Sequence, residues 1–132
     1  MIYSVIKIER CRCSLVRMEQ YGDQAVVTSH FFQPVEGLNV PAKLTFDEEV
    51  EDKETIYTSE LTFSTCYEIN HEGNRWAYRI TLADGTVYIM GSYRRPFPIT
   101  TKKRTMGPVT GSQIPQYTVL LRNIVPLPKQ SQ

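Results

Sequence analysis

Residues 75–92 read "RWAYRITLADGTVYIMGS", and this stretch decides the fold class. Four large apolar residues of its first half share one face of an extended strand: Trp76, Tyr78, Ile80 and Leu82. Asp84 and Gly85 then separate this run from a second β-prone run. Asp-Gly between two alternating runs is a strong hairpin signal, because a type I′ turn needs positive φ at both central residues. The stretch therefore predicts an antiparallel hairpin.

The same two-residue period runs through most of the chain. The N-terminal run places Ile2, Ser4, Ile6 and Ile8 on one face and the residues between them on the other, and residues 55–69 alternate in the same way. No segment shows apolar residues at helical spacing over two turns. The pattern predicts one all-β domain over residues 1–132, an antiparallel β-sandwich or barrel of about seven to eight strands.

Two segments interrupt the period near the C-terminus. Residues 93–115 contain four prolines and two glycines, which predicts a long basic loop or arm before the last strand. The final residues 126–132, "PLPKQSQ", predict a flexible tail because prolines block further strand pairing.

The overall composition is that of a soluble globular protein. Hydrophobic residues make up 41% of the chain, charged residues 22%, and the formal net charge is +1. These values argue against an intrinsically disordered chain and against a global field that attracts DNA or a membrane. With no signal-type or membrane-spanning apolar run, the expected location is cytoplasmic, or inside a virion, with no membrane partner.

The charge is unevenly distributed along the chain. Residues 47–54 carry six acids: Asp47, Glu48, Glu49, Glu51, Asp52 and Glu54. Residues 94–132 carry seven cations and no acid. The nearly neutral net charge is therefore the sum of an acidic segment and a basic C-terminal third. We interpret the acidic segment as a surface that contacts a partner.

Residues 93–104, "YRRPFPITTKKR", are the most basic part of that third. The candidate interaction residues are Tyr93, Arg94, Arg95, Phe97, Lys102, Lys103 and Arg104. They suit a solvated loop, a single-stranded nucleic-acid site in which aromatics stack on bases, or a protein contact. Pro96 and Pro98 hold the segment extended, which suits addition to a neighbour's sheet edge. A basic arm and an acidic strand on one subunit attract each other across subunits, giving a homo-oligomer or a larger assembly.

Catalysis and metal binding have little support in the sequence. His30 and His71 are the two histidines, and no nucleophile elbow or phosphate loop is present. Cys11 and Cys13 would share one face of a strand, and Cys66 or His30 could complete a metal site, but buried free cysteine is the commoner outcome. The acidic run lacks the register of a calcium loop. We therefore expect no enzymatic activity, no cofactor and no metal.

The span "LADGTVYIMGSYRRPFPI", residues 82–99, followed by "QYTVLLRNIV", residues 116–125, resembles small all-β structural proteins of phages and prophages of Bacteroides-type bacteria. The resemblance rests on the hairpin, the exit after Gly91 and the closing strand. It implies a virion or tail-type assembly component and transfers no functional residues.

Three hypotheses for function follow from the sequence. The first is a non-enzymatic structural or interaction protein that contacts neighbouring subunits through the basic segment and the acidic strand. The second is a nucleic-acid-binding β-barrel that uses the basic aromatic segment. The third is a small-ligand-binding barrel with Trp76 and Tyr78 lining the cavity.

Overall fold

The computed structural model describes residues 2–21, 24–27, 32–66, 75–94, 96–106 and 113–130, with side chains for all of these except 40, 41, 103–106, 113 and 114. The described residues are almost entirely extended, with one 3₁₀ turn at Cys13–Leu15. These residues form eleven strands: β1 Ile2–Arg12, β2 Met18–Tyr21, β3 Gln24–Val27, β4 Gln33–Pro34, β5 Leu38–Glu51, β6 Glu54–Thr65, β7 Trp76–Leu82, β8 Val87–Met90, β9 Ile99–Met106, β10 Gln113–Asn123 and β11 Lys129–Gln130.

All eleven strands belong to one mixed sheet. The hydrogen-bonded order is β2-β3-β11-β8-β7-β1-β5-β6-β10-β9, and β4 pairs with β1 beside this path. The β3–β11 pair is parallel and the other pairs are antiparallel. The predicted all-β class is confirmed. The predicted count of seven to eight strands is too low, because β9 and β11 lie in segments that the sequence indicated to be a loop and a tail, and β4 is a further two-residue strand.

The predicted hairpin at residues 75–92 is confirmed, with a different turn. Strands β7 and β8 pair from Tyr78 opposite Met90 to Thr81 opposite Val87. Within the loop 83–85 only Gly85 has a positive φ, of 93°. The Thr86 N–H donates to Asp84 Oδ1 over 2.9 Å, and this hydrogen bond lowers the pKa of the Asp84 carboxyl. The turn therefore has three residues with glycine in the left-handed position, a common alternative to type I′.

A β-bulge reverses the faces of β1 relative to the predicted alternation. The pairing of β1 with β7 shifts register between Val5 and Lys7, so that Ile6 is an extra residue with 51% of its surface exposed. Val5 and Ile8 are both buried, whereas Ile2 is exposed. The expectation that Ile2, Ile6 and Ile8 share one face was wrong, because one inserted residue moves every following side chain to the opposite face.

The sheet curls so that distant strands touch through its inner face. The rings of Phe46 on β5 and Tyr88 on β8 lie 5.2 Å apart, although three steps of the sheet order separate these strands. Tyr78 on β7 is hydrogen-bonded to Thr100 on β9 at 2.9 Å, across five steps. In a flat sheet these strands would lie about 14 and 24 Å apart. The curl therefore encloses the main core, which includes Leu44, Leu61 and Val119.

A second, smaller core covers the outer face of β1, β7 and β8. Cys11, Ala77 and Ile89 point outward from these strands. The segment after β1 contributes Cys13, Val16 and Phe32, while Met18, Val27 and Phe97 pack at the margin. The central strands are therefore buried on both faces, which fixes them more firmly than the peripheral strands.

Two predictions about the C-terminal third need correction. Residues 93–115 are not one irregular arm, because Ile99–Met106 form β9 and pair with β10 from Gln113 onward. Residues 126–132 are not simply a flexible tail. Leu127 is buried, and Lys129 and Gln130 form β11 between β3 and β8. The threonines of β9 favour an extended strand, and the prolines lie outside the β11 pairing.

Candidate functional site: two charged ends and a cleft

The acidic residues lie on a two-stranded ribbon, which we define as residues 46–56. Pairing between β5 and β1 ends at Thr45 opposite Ile2, and pairing between β6 and β10 ends at Tyr57 opposite Asn123. Past these points the described ribbon strands pair only with each other. A two-residue turn at Asp52 and Lys53 joins them, with φ values of 47° and 68°. The ribbon therefore extends from the sheet as a hairpin of the positive-φ type.

The ribbon is strongly acidic and solvent-exposed. All six predicted acids are exposed, and Val50 near the tip has 75% of its surface exposed. Glu51 lies 3.7 Å from Arg122 Nη2, but both side chains are about half exposed, so this ion pair contributes little to stability. Among the described residues, the other five acids have no ion pair. The ribbon is thus a negatively charged projection available to a partner.

The opposite end of the sheet is basic. Strand β1 ends and β7 begins there, which places Arg10 and Arg12 at the same end of the sheet as Arg75, although more than sixty residues of chain separate Arg12 from Arg75. Strand β9 reaches the same end, with Lys102 opposite Tyr117, followed in register by Lys103 and Arg104. We call this region the basic end. Glu36, in the turn before β5, also lies at this end.

Two of these arginines are held against aromatic rings. Arg10 lies 4.0 Å from the ring centroid of Trp76, and Arg75 lies 4.4 Å from that of Phe97. Burial lowers the pKa of Arg10. Arg12 is exposed on the same strand as Arg10. The stacked arginines are fixed in place by cation–π contacts, whereas Arg12 extends into solvent.

The strand direction separates the two charged regions. Thr55 pairs with Val50 in the acidic ribbon, whereas Ser64 lies opposite Gln116, which pairs with Lys103. Both Thr55 and Ser64 belong to β6, and nine residues of extended strand span about 30 Å. The molecule therefore has an acidic end and a basic end along its strand axis.

The predicted basic segment is divided between two places. Tyr93 donates its backbone N–H to the Val16 carbonyl, and Arg17 lies 4.5 Å from its ring centroid. Arg94 donates from Nε to the Tyr93 hydroxyl. Phe97 packs on the second core beneath Arg75, and Lys102, Lys103 and Arg104 belong to β9. Arg95 lies outside the described residues. The interpretation of one continuous arm was therefore wrong.

An open cleft of about 770 Å³ lies beside the base of the ribbon. One wall is the inner face of the sheet at Tyr57, Ser59 and Leu121, and the other includes β2 and residues 126–128. Arg94 lines this cleft. Trp76 and Tyr78 do not line it. Tyr78 is fully buried in the main core, where burial raises the pKa of its hydroxyl.

The cysteines do not converge on a metal site. Cys11 and Cys13 are buried in the second core, whereas Cys66 is exposed and donates to Asn39 Oδ1 over 3.3 Å. Burial raises the pKa of Cys13 to about 12, which keeps it a neutral thiol at physiological pH. In the described ranges no group of three His, Cys, Asp or Glu side chains could hold a metal ion. His30 and His71 lie outside those ranges.

Sequence reasoning missed the three arginines of the basic end. Arg10 and Arg12 flank Cys11 in an ordinary alternating strand, and Arg75 precedes another such strand. No local pattern marks these residues as a group, because only the pairing of β1 with β7 places them at the same end of the sheet.

In comparisons with known proteins, no protein family, curated protein or solved structure matches the chain. In the described part of the chain, no helix has the length and apolar character to cross a membrane.

Proposed function

We propose that this protein is a non-enzymatic structural protein whose copies associate head to tail, the acidic ribbon of one copy contacting the basic end of the next. The separation of opposite charges at the two ends of one sheet carries this proposal. We propose further that the resulting array belongs to a larger particle of the virion or tail type, as the sequence resemblance implies. The curl of the sheet supports a barrel-like body for each subunit.

The contact joins two different surfaces, so it is heterologous. Such a contact closes into a ring or continues as a filament, depending on the rotation between neighbours. The exposed charges mainly set orientation and association rate, and exposed apolar residues such as Val50 supply burial. Salt therefore weakens the association by screening the charges.

Light scattering across a concentration series at low and high salt tests the proposal. We expect a mass that grows with concentration and falls at high salt. Glu49→Lys and Arg12→Glu should each weaken association about tenfold, and the double variant should recover part of the loss.

Arg94→Glu is the matched control, because it changes the charge as Arg12→Glu does but lies in the cleft. It should leave the association unchanged. A monomer at every concentration would overturn the proposal.

Nucleic acid is the second candidate partner. The basic end combines cations with Trp76, as single-strand sites do. Arg10 already covers one face of the Trp76 ring at 4.0 Å, which weighs against base stacking on that face. If the basic end binds single-stranded oligonucleotides, Arg12→Glu lowers their affinity and Glu49→Lys does not.

Binding of a small ligand is the third candidate function. The cleft is a better candidate site for it than the cavity first predicted at Trp76 and Tyr78. Its volume of about 770 Å³ lies within the usual range for ligand pockets. Arg94 offers a cationic group for an anionic ligand. Mass spectrometry of the purified proteins tests this function. A small molecule that co-purifies with the wild-type protein and is lost from Arg94→Gln would support it.

A further inference from the structure

Strand β9 ends the sheet and leaves one of its edges open. It pairs with β10 through all eight residues, from Ile99 opposite Leu120 to Met106 opposite Gln113, and with no other described strand. An open edge presents unpaired N–H and C=O groups that can accept another strand. Lys102, Lys103 and Arg104 make this edge basic.

The acidic ribbon offers open edges as well. Among the described residues, the β5 edge has no strand partner from Phe46 to Glu51, past the last pair with β1. Within the same described ranges, the β6 edge is unpaired only from Glu54 to Ile56, past the last pair with β10. The β5 edge is therefore the longer one, at about 20 Å, and it carries Asp47, Glu48, Glu49 and Glu51.

The charges restrict which edges can pair. Two acidic edges repel each other, and so do two basic edges, because like charges on facing strands destabilise the pair. An acidic edge against a basic edge has no such penalty. The charges therefore disfavour pairing between two acidic edges or two basic edges and permit pairing between an acidic edge and a basic edge.

The strand directions also agree. Strand β5 runs from the basic end toward the ribbon tip, and β9 runs from the level of Glu60 toward the basic end. In a head-to-tail array of copies in one orientation, β5 of one copy is antiparallel to β9 of the next. The β6 edge would instead be parallel to β9, and parallel pairing is slightly less stable.

We propose that the β5 edge of the ribbon in one copy pairs antiparallel with β9 of the next copy, so that one sheet continues across subunits. This inference rests on the proposed head-to-tail association and specifies its contact. The outer face of the sheet is then continuous from one copy to the next. Glu49 and Thr101 both lie on the outer face and are exposed, so their positions come close across the junction.

Disulfide trapping between two variants tests the contact. Both carry Cys66→Ser to remove the exposed thiol, while Cys11 and Cys13 are buried. One adds Glu49→Cys, and the other adds cysteine in turn at Ile99, Thr101 or Lys103, which allows for differences in register. After mild oxidation, at least one mixture should give a covalent dimer on a non-reducing gel, and each variant alone should not.

Glu60→Cys mixed with Thr101→Cys is the matched control. Glu60 is exposed on the outer face, but β6 is flanked there by β5 and β10, so no edge is available. This mixture should give no covalent dimer. Association by light scattering without any covalent dimer from the Glu49 mixtures would overturn edge pairing and leave head-to-tail association standing. A monomer at every concentration would overturn both.

Discussion

The Glu9 carboxylate is buried in the sheet, and Arg79 neutralises it from the neighbouring strand. The two residues are direct cross-strand partners on β1 and β7. Arg79 donates from Nε to Oε1 over 2.9 Å and from Nη2 to Oε2 over 2.5 Å. The guanidinium also lies 4.9 Å from the ring centroid of Phe32. This bidentate pair joins the central strands to the second core.

Replacing one member of this pair should lower the free energy of unfolding far more than replacing both. Arg79→Met leaves a buried carboxylate, and we expect a loss of about 3 kcal/mol in the free energy of unfolding. Glu9→Leu/Arg79→Met should recover most of that loss. Urea denaturation of the single and double variants measures the difference, and a double variant no more stable than Arg79→Met would contradict this account.

Gly91 occupies a position that no other residue suits. Its φ is 100°, and an added Cβ would lie 2.8 Å from the Pro98 ring and 3.3 Å from the Ala77 side chain. Gly91→Ala should therefore cost about 2–4 kcal/mol through strain and overpacking.

Gly85→Ala is the control, since its φ of 93° is similar but nothing lies within 4 Å of an added Cβ. Its cost should be about 1 kcal/mol, from backbone strain alone. Thermal denaturation compares the two variants, and equal losses would show that the contact with Pro98 does not matter.

At the scale of elements, the ribbon turn is strained. Asp52 and Lys53 both have positive φ, which non-glycine residues seldom adopt. Lys53→Gly relieves this strain and should stabilise the protein by about 1 kcal/mol in urea denaturation. Lys53→Ala removes the same charge without the relief and should not stabilise. Stabilisation by both variants would assign the effect to charge instead.

At the scale of the whole molecule, the fold depends on pairings between distant parts of the chain. Cys11 lies opposite Ala77, and Ile2 lies opposite Thr45. Folding dominated by such long-range pairs is slow, with expected times of milliseconds to seconds. Stopped-flow fluorescence of Trp76, the single tryptophan, measures this rate. Completion within microseconds would show that local structure dominates the folding barrier.

The sequence predicted those features that depend on local pattern. The hairpin at residues 75–92 and the inner face of β7 follow from alternation, because neighbouring residues of a strand point to opposite sides. The bulge at Ile6 and the strand β9 were not predicted. A bulge depends on the partner strand, and the polar run of β9 becomes a strand through its pairing with β10.

The sequence by itself determined the all-β class, the central hairpin and the presence of one acidic and one basic region, because each depends on the pattern of residues that are neighbours in the chain. Only the tertiary structure decided that the sheet curls, that Arg10, Arg12 and Arg75 lie at one end of it, and that the acidic ribbon and the basic end lie at opposite ends of the strands. Long-range strand pairing sets these arrangements, and pairing depends on the packing of the whole sheet, which no local pattern encodes.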